Sequence, residues 1–374
     1  MPSRQTLFWH SRPYDLPATD ALFLRAAADN CAYHIAHCPG YAAICRRLDF
    51  DPKNLRSMAD LAQLPVLPTL LFKRETLFSM PEARMAMKVT SSGTSGKFSR
   101  IGFDWGSILA EVPMVLRLGA RHRLLSGVPA HCVVLGYQPH RDNHTGVSRT
   151  MYGLTFFSPP LSRTYALKRS GDSYTVNLDG AAAALERLAV SPFPTRVIGF
   201  PSYLWFGLQK LEELGRTVRL RPGSRIILAG GWKEHGAQEV AKSALYAAAE
   251  RVLGVPTDHI HELFGAVEHP VFYNACPNHR FHVPIYSRIL IRDPETLAPL
   301  PMGQVGLINL ISPLMTATPT LSVMTDDLGY LEPGNTCGCG IPSPALTIVG
   351  RVGMSDIRTC AAGAAELLGK GEME

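Results

Sequence analysis

The densest run of residues able to do chemistry is Thr90-Ser91-Ser92-Gly93-Thr94-Ser95-Gly96-Lys97. Small residues let a backbone approach a phosphate closely, and successive N–H groups form an anion-binding nest. The hydroxyls add donors, and Lys97 adds a point charge. A Walker A loop requires four residues between its first glycine and the Gly-Lys pair, then Ser or Thr. Gly93 and Gly96 stand too close for that, and Phe98 follows the lysine. The bland alternative is a flexible Ser/Gly loop. A strand before it and a helix after it favour phosphate binding. A second cluster is Cys276-Pro277-Asn278-His279-Arg280-Phe281-His282, joined much later by Cys337-Gly338-Cys339-Gly340. Three thiolates and one imidazole suffice for a closed tetrahedral Zn²⁺ site, against the plainer reading of reduced cysteines in loops.

These residues need a scaffold. Residues 17–62 read as mostly helical, with a break at Pro39-Gly40, and 64–69 as an extended entry. Residues 86–90 read as a strand and 104–124 as a helix. Strand-like runs follow at 131–136, 196–200 and 225–229, with helices at 180–190, 202–215 and 236–254. This alternation predicts crossover units on a mostly parallel sheet, an α/β fold. Past residue 280 the texture changes to short strands joined by Pro/Gly turns, so a small β-rich subdomain is expected over 280–350 within one large domain, 1–352, followed by a short tail, 353–374.

The loop resembles the phosphate loop of the adenylate-forming superfamily, most closely its acyl-protein synthetase branch of bacterial bioluminescence and the phenylacetate-CoA-ligase-like proteins. The similarity continues in order through most of the chain. It implies layered sheets and helices, ATP and Mg²⁺ as cofactors, and activation of a carboxylic acid as its acyl-AMP. Leu263-Phe264-Gly265-Ala266-Val267-Glu268 is similar to the aromatic-Gly-x-Thr-Glu motif. By that likeness Phe264 and Gly265 lie against adenine and Glu268 holds Mg²⁺, with Val267 replacing the motif's threonine. Gly230-Gly231 before Trp232 resembles the segment bordering adenine and the acyl pocket. Thr325-Asp326-Asp327 resembles Thr-Gly-Asp, so Asp327 is expected on the ribose hydroxyls, with Asp326 in place of glycine. Arg351 resembles the arginine near ribose or phosphate. The segment from Phe200 through Tyr203 to Trp205 starts like the acyl-pocket helix, so these aromatics and Trp232 are expected at the acid, unless they simply fill the core. The phenylacetate-CoA-ligase-like members imply a structural zinc site on Cys276, His282, Cys337 and Cys339, with His279 outside it.

Members of the superfamily carry a mobile C-terminal domain with a catalytic lysine, and none is expected here. Lys97 and Mg²⁺ would then carry more of the charge stabilisation. The bioluminescence branch passes the acyl group to a cysteine near the C-terminus, which makes Cys360 a candidate acceptor, with Arg358 lowering its pKa. A narrower resemblance, to the adenylating proteins of griseoluteic-acid phenazine biosynthesis, implies an aromatic acid such as phenazine-1,6-dicarboxylate, activated for reduction to an aldehyde by a partner reductase. The alternatives are a fatty acyl-protein synthetase and a degenerate member that only binds acid or nucleotide.

Bulk composition agrees with a globular enzyme. The chain has 374 residues, 46% of them hydrophobic, enough for a large core. The formal charge of +6 is scattered, with no dense basic stripe, so no nucleic-acid partner is expected. No secretory h-region and no long apolar run is seen, so no membrane association is expected. Eight cysteines without a signal segment point to reduced thiols and a cytoplasmic setting.

Overall fold

The computed structural model describes residues 1–91 and 98–351. By its contacts the chain forms two compact units: Met1–Leu118 with Gly265–Tyr273 and Arg280–Glu374, and Gly119–Phe264 with Asn274–His279.

The first unit is built on a six-stranded sheet. Its path runs Phe281–His282, Ala345–Arg351, Ser322–Glu332, Gly306–Ile311, Arg288–Arg292, all antiparallel neighbours. The short strand Leu67–Pro68 adds in parallel, pairing Leu67 with Val323 and Pro68 with Met324. Ile308, Leu310, Ile311 and Val323 are fully buried and form its core. The helix Asp20–His37 buries Phe23, Ala26, Ala27, Asn30, Cys31 and His34, one apolar stripe at helical spacing. It ends because Cys38 turns extended, and Pro39 starts the next helix, Pro39–Arg47. The break at Pro39-Gly40 and the strands beyond residue 280 thus stand where the sequence placed them.

The second unit carries the parallel sheet. Its strands run in the order Ile260–Ala266, Arg225–Ala229, Thr195–Gly199, Ala130–Tyr137, Pro160–Ser170, Ser173–Val176. Neighbours are parallel except the last pair. Helices Leu178–Ala189, Pro201–Glu213 and Lys242–Leu253 make the crossovers that parallel strands require. Successive strands grow outward on both sides of Ala130–Tyr137, so the strand order reverses there. In such sheets ligands bind beyond the carboxyl ends of the strands near the reversal. Phe200 follows one of those ends and Gly230 another.

Two expectations need correction. The phosphate loop does not lead from strand to helix. Met87–Thr90 and Arg100–Phe103 pair antiparallel, from Met87 opposite Phe103 to Thr90 opposite Arg100, so the next described element after the first strand is a second strand and not a helix. The helix Trp105–Arg121 follows only after the second strand, whose alternation buries Ile101 and Phe103. The sequence reading also passed over the hairpin Pro160–Ser170 with Ser173–Val176. The outer strand, Ser173–Val176, is half exposed and gives no clear apolar alternation.

Candidate active site and metal centre

In the first unit, the base of the phosphate loop is pinned from both sides. Ser91 N–H donates to the Ser99 carbonyl at 3.3 Å, and Ser99 N–H donates to the Ser91 hydroxyl at 3.0 Å. Ser92, Gly93, Thr94, Ser95, Gly96 and Lys97 lie outside the described residues. So does Cys360.

Glu268 belongs to the two-residue turn, Val267-Glu268, between strands Ile260–Ala266 and His269–Asn274. It is only 4% exposed. Burial pushes its carboxyl up, while the nearby Ser99 hydroxyl and Lys73 ammonium favour the ionised form and Asp326 opposes it. A buried carboxylate of this kind gains from a cation beside it, so the residue fits a hard divalent ion such as Mg²⁺. Gly265 approaches the carbonyl of Val271: a Cβ there would sit 3.3 Å from that oxygen.

Asp327 and Arg351 face each other across neighbouring strands, Ser322–Glu332 and Ala345–Arg351. Arg351 Nε donates to Asp327 Oδ1 at 2.8 Å, and the Asp327 side chain is 14% exposed. The neighbouring Asp326 accepts from the Thr69 hydroxyl at 2.8 Å.

In the second unit, Gly230 and Gly231 adopt φ of +86° and +66°, the left-handed region that favours glycine. A Cβ on Gly230 would come within 2.8 Å of Phe200 Cε1. A cavity of about 140 Å³ opens beside them, lined among others by Leu228, Trp232, Tyr246, Glu262 and Leu263. Glu262 is held at the wall by the Tyr246 hydroxyl and by Lys242 Nζ at 2.7 Å. Phe264 lies two residues further along the same strand and so on the same face as Glu262.

Of the four aromatics expected at the acid, Trp232 lines this cavity. Phe200 is 1% exposed, edge-on to Tyr137 and tilted against Tyr203, and forms the wall behind Gly230. Tyr203 is buried and Trp205 half-buried. Phe200 and Tyr203 thus also fill the core.

The Cys/His cluster is assembled. Cys276, His282, Cys337 and Cys339 bring one ligand atom each to within 4.8 Å of one another. Five residues separate Cys276 from His282, so their meeting is local to one loop. The three cysteines belong to no disulfide. Gly338 and Gly340, at φ of +73° and +78°, flank Cys339 and let the chain turn twice around one point. His282 Nδ1 lies 2.8 Å from the Ser343 carbonyl, so Nδ1–H donates there and Nε2 keeps its lone pair for a metal. That Nε2 lies 3.1 Å from Cys339 Sγ. The donor set fits Zn²⁺. His279 stands outside the cluster, stacked on Tyr246 at 4.5 Å. Sequence reasoning missed Ser99, Lys73, Thr69 and the Ser343 carbonyl. Only Ser99, just past the loop, had a positional signal.

The family described as acyl-protein synthetase, LuxE, matches residues 3–368. The long-chain-fatty-acid–luciferin-component ligase of Vibrio harveyi is 27% identical over 340 residues, 88% of this chain and 83% of that protein. The phenylacetate-coenzyme A ligase of Thermus thermophilus is 24% identical over 322 residues, 83% of this chain and 64% of that protein. A crystal structure of 2-hydroxyisobutyryl-CoA ligase superposes with a TM-score of 0.67 at 17% identity, over 91% of this chain and 71% of that one, and so shares the fold. Among the described residues no helix is long and apolar enough to cross a membrane. The chain therefore belongs to the LuxE family of acyl-protein synthetases and is an adenylate-forming ligase.

Proposed function

We propose that the chain uses ATP to activate an aromatic carboxylic acid, of the phenazine-1,6-dicarboxylate kind, as its acyl-AMP. An oxygen of the acid's carboxylate attacks the α-phosphorus, the bond to the bridging oxygen breaks, and pyrophosphate leaves with the electron pair. Ser91 and the residues from Ser92 to Lys97 cradle the phosphates. In the first unit Glu268 holds Mg²⁺, Asp327 takes the ribose hydroxyls, and Arg351 Nε, 2.8 Å from Asp327 Oδ1, keeps that carboxylate aimed. Bound Mg²⁺ supplies charge neutralisation at the phosphate oxygens. In the second unit Gly230, Gly231 and Phe264 border adenine, as does Gly265 of the first unit, and Phe200, Tyr203, Trp205 and Trp232 form the aromatic surround of the acid. The observation that carries this reading is the family match over nearly the whole chain, with the motif residues in order along it. The likeness to phenylacetate-coenzyme A ligases supports an aromatic acid.

The zinc role is structural: Cys276, His282, Cys337 and Cys339 clamp two loops on one ion. After activation the Cys360 thiolate attacks the acyl carbonyl, the bond to the AMP phosphate oxygen breaks and AMP leaves, and the resulting thioester is presented to a partner reductase; the family match extends past this residue. The likeness to the Vibrio harveyi ligase favours a second reading, with a fatty acid in place of the aromatic one. ATP–pyrophosphate exchange over a panel of aromatic and fatty acids tests both. Exchange driven by aromatic acids alone is the expected result. Exchange with long-chain acids only selects the second reading, and none with any acid leaves a protein that binds without activating.

A further inference from the structure

We infer that the outward face of the helix Trp105–Arg121 is where two copies of this chain meet, as an antiparallel helix pair. The helix is apolar on two opposite sides. Ser107, Ala110, Met114 and Leu118 are fully buried and face the core. Opposite them, Trp105, Leu109, Val112 and Leu116 are 66%, 63%, 49% and 50% exposed. Both sets follow the helical period, so each forms a continuous stripe. A helix that is apolar on all sides is normally buried on all sides.

No charged side chain interrupts the outer stripe. Glu111 stands on one flank, half-buried, and Arg117 on the other. Arg117 is drawn away to the N-terminal helix: its guanidinium carbon lies 5.8 Å from the Trp9 ring centre, and its Nη1 donates to the Phe8 carbonyl at 3.1 Å. Trp9 is itself exposed and extends the apolar surface on that flank. At these exposures the stripe and Trp9 open on the order of 500 Å² of apolar surface, the upper range for the largest patch on a monomer. Two such patches face to face reach about 1,000 Å², where specific contacts begin.

The occupant this face fits is a second copy. A two-fold contact sets a surface against itself, so a charge at its centre would meet its own kind. An uncharged stripe escapes that repulsion, and the centres of homodimer contacts are likewise poor in charge. The spacing also suits self-pairing. The steps from Trp105 to Leu109, Val112 and Leu116 are four, three and four residues, the same read from either end. Turned about a two-fold axis, one helix sets its Trp105 beside Leu116 of the other copy and its Leu109 beside Val112. Every side chain of the stripe then gains an apolar neighbour. A contact of this modest area gives a reversible dimer rather than a permanent one.

Sedimentation velocity of the purified full chain, over a concentration series at fixed salt, tests this without any assumption about the reaction. The wild-type chain is expected to pass from monomer to dimer in the micromolar range. Leu109→Glu and Val112→Lys are each expected to weaken the association by about 100-fold or more, since the contact would then bury an unpaired charge from each copy. Their circular dichroism spectra should match wild type, because both side chains are exposed in the single chain. Val190→Glu, at the end of the helix Leu178–Ala189 and 88% exposed, adds a charge elsewhere and should leave the association unchanged. A wild-type chain that stays monomeric at the highest concentration overturns the inference and leaves the stripe to a different partner. A dimer that persists in both Leu109→Glu and Val112→Lys overturns it by placing the contact elsewhere. Equal weakening by Val190→Glu overturns it by assigning the effect to net charge.

Discussion

Glu268 concentrates the chemistry at the scale of single residues. It is buried, its protonation is pushed up, and the groups that favour its ionised form are a hydroxyl and an ammonium rather than a closed ion pair. A cation beside it would convert an unfavourable buried charge into a useful one. Glu268→Ala is expected to lower pyrophosphate exchange by roughly 10²–10³-fold, the range for losing one preorganised electrostatic contact in a reacting site, with an unchanged circular dichroism spectrum. Exchange at the wild-type rate would remove the metal role. The motif made Glu268 legible in the sequence. Its partners were not, because Ser99, Lys73 and Asp326 come from segments distant along the chain and only folding joins them.

Elements set two further expectations. The helix Trp105–Arg121 carries Glu111, whose carboxyl burial alone pushes up to about 7. An unfolded carboxyl of this type titrates near ~4.3. Between those values the folded chain holds the extra proton, so stability falls as pH rises through this window and levels off above it. Glu111→Gln escapes that loss. It should exceed wild type in urea melts at pH 8 by up to about 3 kcal/mol, and by much less at pH 4.5. An equal difference at both pH values would show that titration of Glu111 is not the cause. The second element is the loop Gly334–Gly340, whose two left-handed glycines shape the cysteine turn. Metal analysis should find about one zinc per chain, and chelation or Cys339→Ser should lower the melting temperature by several degrees, because binding energy at a structural site is folding energy. A metal-free chain that melts at the same temperature would leave the four side chains as an ordinary polar cluster. The spacing proposed this site; the Ser343 carbonyl that orients His282 arrives from the far end of the turn and left no trace in the motif.

For the whole molecule, the open question is where the activated acyl group goes. Acyl-AMP hydrolyses unless a nucleophile is held near it. Incubation with ATP and the cognate acid should leave a hydroxylamine-labile acyl group on Cys360, absent in Cys360→Ser. Aldehyde formation at an undiminished rate by Cys360→Ser together with the partner reductase would instead mean direct release of acyl-AMP.

The sequence by itself determined the α/β class, the parallel strands at 131–136, 196–200 and 225–229, and the order of the motifs. Those features depend on local periodicity and on residue types that few other roles require, such as the glycines at 230 and 231. The tertiary structure alone decided that Met87–Thr90 pairs with Arg100–Phe103, since that depends on the two segments meeting rather than on either strand's own pattern. It alone gave the two acids their partners, Thr69 for Asp326 and Arg351 for Asp327, because those depend on which face of a strand each occupies and on what packs there. It also showed Phe200 to be the wall that Gly230 must pass closely, a constraint between residues thirty positions apart that is set by packing and not by spacing.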